Sequence, residues 1–209
     1  MGGIAIETDL ELMQRVREGD ATSFERLLGR YRGPLVHFFY RMLQDPALAE
    51  DLAQEVFLRV YKSRERYVPE ARFTTWLYRI ATNLALNALR DRTSVGAGGA
   101  LAVEKQFALS SRQRAGEDGV EPDPLATVAD PAPTVEQWLI TAEVQTRIRE
   151  AIRRLPEKQR AAVILHKYQE LDYRRIAQVL DCSESALKSL LFRAYESLRK
   201  SLEPLIADS

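Results

Sequence analysis

Apolar residues recur through most of the chain at the three- and four-residue spacing of amphipathic helices, and no segment alternates convincingly as a strand. In the N-terminal part this spacing predicts helices over residues 9–18, 21–28 and 34–43, one that begins at Asp45-Pro46, and one over 73–92. The helix after Asp45 carries a core stripe of Leu48, Leu52, Val56 and Val60. The last of these helices is predicted to turn Trp76, Ile80, Leu84 and Ala88 inward, and Arg79, Asn83, Asn87 and Arg90 outward.

In the C-terminal part a short helix is followed by a tight break and a long helix. Thr134 is predicted to cap a helix that runs to about residue 155, and the next helix covers 157–168 with Ala161, Ile164 and Leu165 buried. A short helix then ends at 180, Asp181-Cys182 forms the break, and Ser183 caps the last helix. The apolar face of that helix consists of Leu187, Leu191, Ala194, Leu198 and Leu202. This succession is typical of a helix-turn-helix unit.

Residues 93–133 differ from the rest of the chain. They hold five of the ten glycines and four of the nine prolines, and their acidic residues outnumber the basic ones six to three. Such a stretch buries too little apolar surface to offset its ordering entropy, so we interpret it as a flexible linker. The sequence therefore predicts an all-α protein with two small helical domains, residues 8–95 and 134–205, joined by a linker over 96–133.

The chain has 30 basic and 30 acidic residues, so its net charge does not indicate a nucleic-acid partner. The distribution of charge changes this picture. Residues 59–92 contain eight basic and three acidic side chains, whereas 45–55 contain four acidic and no basic ones. Adjacent segments of opposite sign suggest two different partners, one of them anionic, and solvated helix faces are the alternative.

The chain offers little for catalysis or metal binding. His37 and His166 are isolated in different domains, and Cys182 is the one cysteine. No phosphate-binding glycine loop and no nucleophile elbow is present. We therefore expect no enzyme activity, no metal and no cofactor. Because no apolar run has the length of a membrane span and no secretory signal is visible, we also expect a cytoplasmic protein without membrane insertion.

Two segments suit nucleic acid. The N-terminal half of the second helix of a helix-turn-helix unit enters the major groove. Here that half offers hydroxyl, cationic and aromatic side chains: Ser183, Ser185, Lys188, Ser189, Phe192 and Arg193. In the first domain, the loop over 63–72 combines arginines with Tyr67, which suits unpaired DNA because rings stack on bases while cations follow the backbone. A core aromatic residue beside a solvated basic face is the alternative for this loop.

Together these motifs resemble the bacterial sigma-70 family, in particular its factors of the extracytoplasmic-function type. The likeness rests on the runs 49–57, 73–83, 155–156, 171–177 and 188–194, which follow one another in the family's order across both domains. The resemblance implies a transcription initiation factor that binds core RNA polymerase and promoter DNA. It also implies an anti-sigma partner that holds the factor inactive.

The resemblance implies a role for each surface. Glu50, Asp51, Gln54 and Glu55 fall on the surface that docks on the clamp helices of the polymerase β′ subunit. The minus-ten element is read and melted through Arg64, Arg66, Tyr67, Arg72, Trp76, Arg79 and Asn83, with Tyr67 stacking on a flipped base. The second domain contacts the β flap and reads the minus-thirty-five element through Ser183, Ser185, Lys188, Ser189, Phe192 and Arg193.

The chain departs from the family at the recognition helix. Ala186-Leu187 stand where the family commonly has Thr-Val, and Leu190 and Tyr195 replace frequent arginines. We expect the loss of two cations to weaken phosphate binding. We also expect it to lower the salt dependence of binding, by about one released counterion for each cation. The residues alone leave two other functions open. One is a stand-alone helix-turn-helix regulator, and the other is an interaction protein that sequesters a regulator and needs no exposed Tyr67 or Phe192.

Overall fold

The computed structural model describes residues 7–67, 72–95 and 135–207, with side chains described over 7–67, 72–92 and 143–203. In these ranges the chain forms eight α-helices and one 3₁₀ turn, and no strand, which confirms the all-α prediction. The helices are α1 (Asp9–Arg17), α2 (Ala21–Leu43), α3 (Pro46–Lys62), α4 (Phe73–Val95), α5 (Val135–Arg154), α6 (Glu157–Lys167), α7 (Tyr173–Leu180) and α8 (Glu184–Ala207). The 3₁₀ turn, Arg64–Arg66, lies between α3 and α4. The predicted linker and the cap at Thr134 lie outside the described residues, and the domain boundaries stay predictions.

The first three helices begin at side-chain caps. Thr8 and Glu11 form a capping box, in which each side chain accepts a hydrogen bond from the other residue's backbone N–H. The carboxylates of Asp20 and Asp45 accept hydrogen bonds from the first turns of α2 and α3. Between α1 and α2 the chain turns at Gly19, whose φ of +96° favours glycine.

α2 is one helix, so the prediction of two separate helices over 21–28 and 34–43 is wrong. Pro34, where the second of these helices was predicted to begin, lies inside α2 on its exposed side, where its ring meets solvent. The opposite side carries an unbroken row of buried residues: Leu27, Leu35, Phe38, Phe39 and Met42. Burial of this row outweighs the roughly 3 kcal/mol that a proline costs inside a helix, so the helix continues.

The core of the first domain is formed by α1 to α4. The predicted stripe of α3 is confirmed, because Leu52, Val56 and Val60 are buried and Leu48 packs against them. The predicted inward face of α4 is confirmed, because Leu84 is buried and Trp76, Ile80 and Ala88 are partly buried and pack against the core. The other buried apolar residues of α4 are Phe73, Leu77, Tyr78, Ala81 and Ala85. The buried face is wider than predicted because helices of both domains cover α4.

The second domain confirms the helix-turn-helix prediction. Asp172 caps α7, and Asp181 ends it with a left-handed φ of 52°. Residues 161–165 of α6 are all buried, and α6, α7 and α8 pack on one another. α8 contributes Leu187, Leu191 and Ala194 to the core. The buried face of α8 fixes which of its residues point to solvent.

The two domains are docked on each other, a feature about which the sequence made no prediction. α4 packs on α6 and α7, while α2 contacts α5 and α6, and the buried residues of both domains form one contiguous apolar core. Polar contacts also cross this interface. Arg160 donates to the carbonyl of Met42 at 2.7 Å, and the hydroxyl of Tyr78 donates to Gln169.

Candidate nucleic-acid and protein interfaces

The N-terminal half of α8 presents one continuous exposed face. Because Leu187 and Leu191 are buried, the positions three, four, seven and eight after residue 185 share its outward direction. This face consists of five of the predicted recognition residues, all exposed: Ser185, Lys188, Ser189, Phe192 and Arg193. Phe192 is 69% exposed, so its apolar ring contacts solvent on a face that is otherwise polar.

Ser183 caps α8 as predicted. Its Oγ accepts a hydrogen bond from the N–H of Ala186 at 3.1 Å. Farther along the helix, Ser189 donates to the carbonyl of Ser185 and Arg193 donates to the carbonyl of Ser189, each at 3.2 Å. A helix N-terminus with neighbouring cations is a favourable place for a phosphate, so this half of α8 is suited to DNA.

One of the family departures has a structural explanation. Tyr195 is half-buried, and its hydroxyl lies 2.9 Å from Nδ1 of His166 on α6. Tyr173 of α7 packs edge-on against the same imidazole, and burial lowers the pKa of His166. Tyr195 therefore packs on its own domain at a position where the family often has an arginine. Leu190 is also partly buried. The effect of these residues on DNA affinity stays a prediction.

The outer face of α3 carries the four residues expected to bind polymerase. Asp51 and Gln54 are exposed. Glu50 and Glu55 are partly exposed, and each forms an ion pair with a nearby arginine, at 3.1 and 2.7 Å. Solvent-exposed pairs of this kind contribute about 0.2–1 kcal/mol, so a partner protein can replace them at little cost.

Sequence reasoning missed two apolar residues on the same side of α3. Leu58 is 53% exposed and Tyr61 is 42% exposed. Tyr61 lies against Phe24, with ring centroids 5.2 Å apart, and the guanidinium of Arg64 lies 4.3 Å from its ring centroid. The signal was in the spacing. Leu58 and Tyr61 follow Gln54 by four and seven residues, so they continue its face rather than the core stripe.

Tyr67 is buried, which contradicts the expectation of an exposed ring ready to stack on a base. It is 4% exposed, and its ring centroid lies 5.1 Å from that of Trp76 and 6.2 Å from that of Phe73. Burial raises the pKa of its hydroxyl, and Asp9 adds to this effect. The 3₁₀ turn ends at Tyr67, and its ring gains more from this aromatic cluster than from solvent.

Most of the polar part of the predicted minus-ten surface lies in solvent. Its exposed members are Arg66, Arg72, Arg79 and Asn83. Trp76 is half-buried in the aromatic cluster with Tyr67. Arg64 is also partly buried, and it donates to the carbonyl of Tyr61 at 2.9 Å. The structure therefore brings the cations of this segment to the surface but keeps its aromatic rings largely in the core.

Within the described ranges, no group of three or more His, Cys, Asp or Glu side chains is arranged to hold a metal ion. No helix in the same ranges is long and apolar enough to cross a membrane. Cys182 is partly buried at the turn between α7 and α8, and burial raises the pKa of its thiol. A raised pKa disfavours the thiolate, which is the reactive form of cysteine.

The docked helical domains and the exposed recognition face of α8 define a helix-turn-helix protein of the DNA-binding class. Residues 27–95 match the family Sigma-70 region 2, and residues 145–198 match the family Sigma-70, region 4. The RNA polymerase sigma-H factor of Pseudomonas aeruginosa is 30% identical, over 97% of this chain and 98% of its own length. The ECF RNA polymerase sigma-E factor of Haemophilus influenzae is 30% identical, over 95% of this chain and 97% of its own.

The chain therefore belongs to the sigma-70 family of RNA polymerase sigma factors, in its extracytoplasmic-function group, which confirms the resemblance found in the sequence. It directs promoter-specific transcription initiation by binding core polymerase and promoter DNA.

Two solved structures share its fold. CnrH, solved in complex with the cytosolic domain of CnrY, is 18% identical with a TM-score of 0.65 over 97% of this chain and all of its own. The sigma factor RpoE of Bartonella quintana, solved with the anti-sigma factor NepR, is 19% identical with a TM-score of 0.61 over 88% of this chain and 98% of its own.

Proposed function

We propose that the exposed face of α8 reads the minus-thirty-five element. The observation that carries this assignment is the geometry of the helix, since five recognition residues share one solvent-exposed stripe behind a capped N-terminus. Lys188 and Arg193 can bind phosphates or guanine edges, and Ser185 and Ser189 can donate to either. Phe192 offers an apolar surface to a thymine methyl group.

For the minus-ten element, we assign the DNA contacts to Arg66, Arg72, Arg79 and Asn83. Their exposure supports the assignment, because exposed arginines can follow a phosphate backbone and an exposed amide can donate a hydrogen bond to it. The half-buried Trp76 is the aromatic residue that we place next to the unpaired strand. We place Tyr67 in the core, where its ring contacts Trp76, rather than on a base, because Tyr67 is buried.

The outer face of α3 is our proposed binding surface for the clamp helices of the polymerase β′ subunit. An apolar centre with a polar rim is the usual composition of a protein interface. Leu58 and Tyr61 supply exposed apolar area, and Glu50, Asp51, Gln54 and Glu55 supply the polar part. The second domain is proposed to contact the β flap.

Three further proposals complete this function. The factor performs no covalent chemistry, because strand separation needs only binding energy and the polymerase forms the phosphodiester bonds. It acts in the cytoplasm, where its polymerase and promoter partners are. An anti-sigma factor holds it inactive. The last proposal is supported by the two structures with the same fold described above, each of which was solved in complex with a second protein.

The polymerase surface is tested by titrating purified core polymerase with fluorescently labelled sigma factor. Asp51→Lys and Leu58→Ala are expected to weaken binding by tenfold or more, because interface residues of this kind cost about 1–2 kcal/mol or more when changed. Glu203→Lys is the control, since Glu203 is equally exposed but lies near the end of α8. Equal binding by all four proteins would remove α3 from the interface.

The minus-thirty-five surface is tested by footprinting the holoenzyme on a promoter selected with the wild-type protein. Lys188→Ala and Phe192→Ala are expected to lose protection of the upstream element, while Lys200→Ala keeps it. Lys200 lies on the same helix with the same charge but outside the recognition face. Strong protection of duplex DNA without polymerase would instead favour a stand-alone regulator.

A further inference from the structure

The imidazole of His166 lies where α6, α7 and α8 meet. His166 belongs to α6, and its Nδ1 lies 2.9 Å from the hydroxyl oxygen of Tyr195 on α8. The ring of Tyr173, the first residue of α7, packs edge-on against the imidazole with ring centroids 5.2 Å apart. All three side chains are partly buried. One side chain of α6 therefore contacts both helices of the helix-turn-helix unit.

Both partners of the hydrogen bond between α6 and α8 are uncharged near neutral pH. Burial lowers the pKa of His166 and raises the pKa of Tyr195, and Tyr173 adds to the second effect. The hydroxyl donates to Nδ1 when the imidazole carries its proton on Nε2. Tyr195 therefore differs from an exposed arginine at the same position, because its polar group is engaged within its own domain.

Tyr195 lies at the edge of the recognition face. It follows the buried Leu191 by four residues and the exposed Phe192 by three, so its position is between the buried and the exposed side of α8. It also follows Lys188 by seven residues, which is two helical turns along the same side. A contact made at Tyr195 therefore bears on the orientation of α8, and hence on the direction of the recognition side chains.

The hydrogen bond adds direction to the apolar packing of α8. Leu187, Leu191 and Ala194 are buried, and burial of apolar area is a non-directional force. Ser185, at the start of the recognition face, lies about 15 Å from Tyr195 along the helix axis at about 1.5 Å per residue. A tilt of about 5° about Tyr195 would move Ser185 by about 1.3 Å, which exceeds the ~0.5 Å range of good hydrogen-bond lengths.

We propose that His166 is a positioning residue for minus-thirty-five recognition, which holds α8 at its reading angle through the hydroxyl of Tyr195. This inference rests on the proposed role of α8 in reading this element. It gives the departure at Tyr195 a function, because a cation that binds every sequence alike is replaced by a contact that sharpens the choice between sequences. In this role His166 acts through Tyr195, so its loss affects sequence discrimination rather than phosphate binding.

The test measures how well the holoenzyme distinguishes promoters that differ by one base pair. Its affinity is measured for a promoter selected with the wild-type protein and for the same promoter with single changes in the minus-thirty-five element. One such mismatch typically lowers affinity about 5- to 150-fold. Tyr195→Phe keeps the ring and removes the hydroxyl. It is expected to reduce this ratio about two- to tenfold, the range that one hydrogen bond contributes to an equilibrium.

Changes at residue 166 provide the matching test from α6. His166→Phe keeps a ring against Tyr173 but removes the nitrogen, so it is expected to reduce the ratio as much as Tyr195→Phe does. The double variant should be no worse than either single one, because both remove the same bond. His166→Asn places an amide near the position of Nδ1 and is expected to retain most of the wild-type ratio. Tyr168→Phe, at an exposed tyrosine that ends α6, is the control and should match wild type.

A wild-type ratio in Tyr195→Phe and His166→Phe, together with a lower ratio in Phe192→Ala, would overturn the proposal. If His166→Phe loses helical circular dichroism, Tyr195→Phe and the rescue by His166→Asn decide. Equal weakening at every sequence would also overturn it. With a shallower salt dependence such weakening would indicate a lost phosphate contact, and with an unchanged salt dependence it would indicate a smaller folded fraction.

Failure of the proposed function has a different signature. The wild-type holoenzyme would then bind all minus-thirty-five sequences equally, and Phe192→Ala would leave this pattern unchanged.

Discussion

Replacing Tyr67 by alanine is expected to destabilise the protein rather than to remove a DNA contact from an intact fold. The ring is 4% exposed and lies within 6.2 Å of the ring centroids of both Phe73 and Trp76. Truncation of a buried aromatic residue costs about 3–5 kcal/mol. At about 2–4 °C per kcal/mol for a chain of this size, the melting temperature should fall by roughly 6–20 °C.

Two companion variants separate burial from loss of an aromatic ring. Tyr67→Phe keeps the ring in the cluster, and the loss of one hydroxyl is expected to cost no more than about 1–2 kcal/mol. Phe192→Ala removes a ring that is 69% exposed, so the free energy of unfolding should change by less than about 0.5 kcal/mol. Phe192→Ala should nevertheless reduce promoter binding, which Tyr67→Phe should leave nearly unchanged.

The assay combines thermal unfolding followed by circular dichroism with promoter opening followed by permanganate reactivity of unpaired thymines. An exposed stacking residue would lose about 1–3 kcal/mol of affinity for unpaired DNA when truncated and would leave the fold unaffected. A Tyr67→Ala protein that keeps the wild-type melting temperature but no longer opens promoters would therefore refute the assignment of Tyr67 to the core.

Three further changes test other parts of the structure. Burial lowers the pKa of His166, so unfolding takes up a proton as pH falls below about 6.5, and the melting temperature should fall between about pH 7.5 and pH 5.5. His166→Gln should weaken this dependence of the melting temperature on pH, and equal slopes in the wild type and His166→Gln would contradict the prediction. Pro34→Ala should raise the free energy of urea unfolding by about 1–3 kcal/mol, because it restores a helix hydrogen bond at an exposed position, and a loss of stability would count against this. Ser183→Ala should lower the free energy of urea unfolding by about 1 kcal/mol because it removes the cap of α8, whereas Ser183→Asp should keep the cap. An unchanged free energy in Ser183→Ala would contradict this prediction.

Local patterns predicted most of the helices, because their signals are contained within a few turns of sequence. The caps at Asp45 and Ser183 and the buried stripe of α3 follow from residue type and spacing. α2 shows the limit of such signals. Pro34 is a helix breaker by local propensity, but burial of the row from Leu27 to Met42 decides the outcome, and that burial depends on the rest of the domain.

The parts that the sequence could not predict depend on contacts between distant residues. Arg160 and Met42 are 118 positions apart, and nothing in either local sequence indicates the other. The domain docking to which they contribute also widens the buried face of α4. Tyr67 was misassigned for a related reason: aromatic residues beside cations suit DNA and suit a core equally well, and only packing against Trp76 and Phe73 distinguishes the two.

The central claim is tested most directly by run-off transcription with purified core polymerase over a pool of promoter fragments. We expect specific transcripts that require this protein, decrease with Asp51→Lys or Phe192→Ala, and persist with Glu203→Lys or Lys200→Ala. The opposite result is no transcript at all, with duplex DNA bound tightly in the absence of polymerase. That result would contradict an initiation factor that works through α3 and α8.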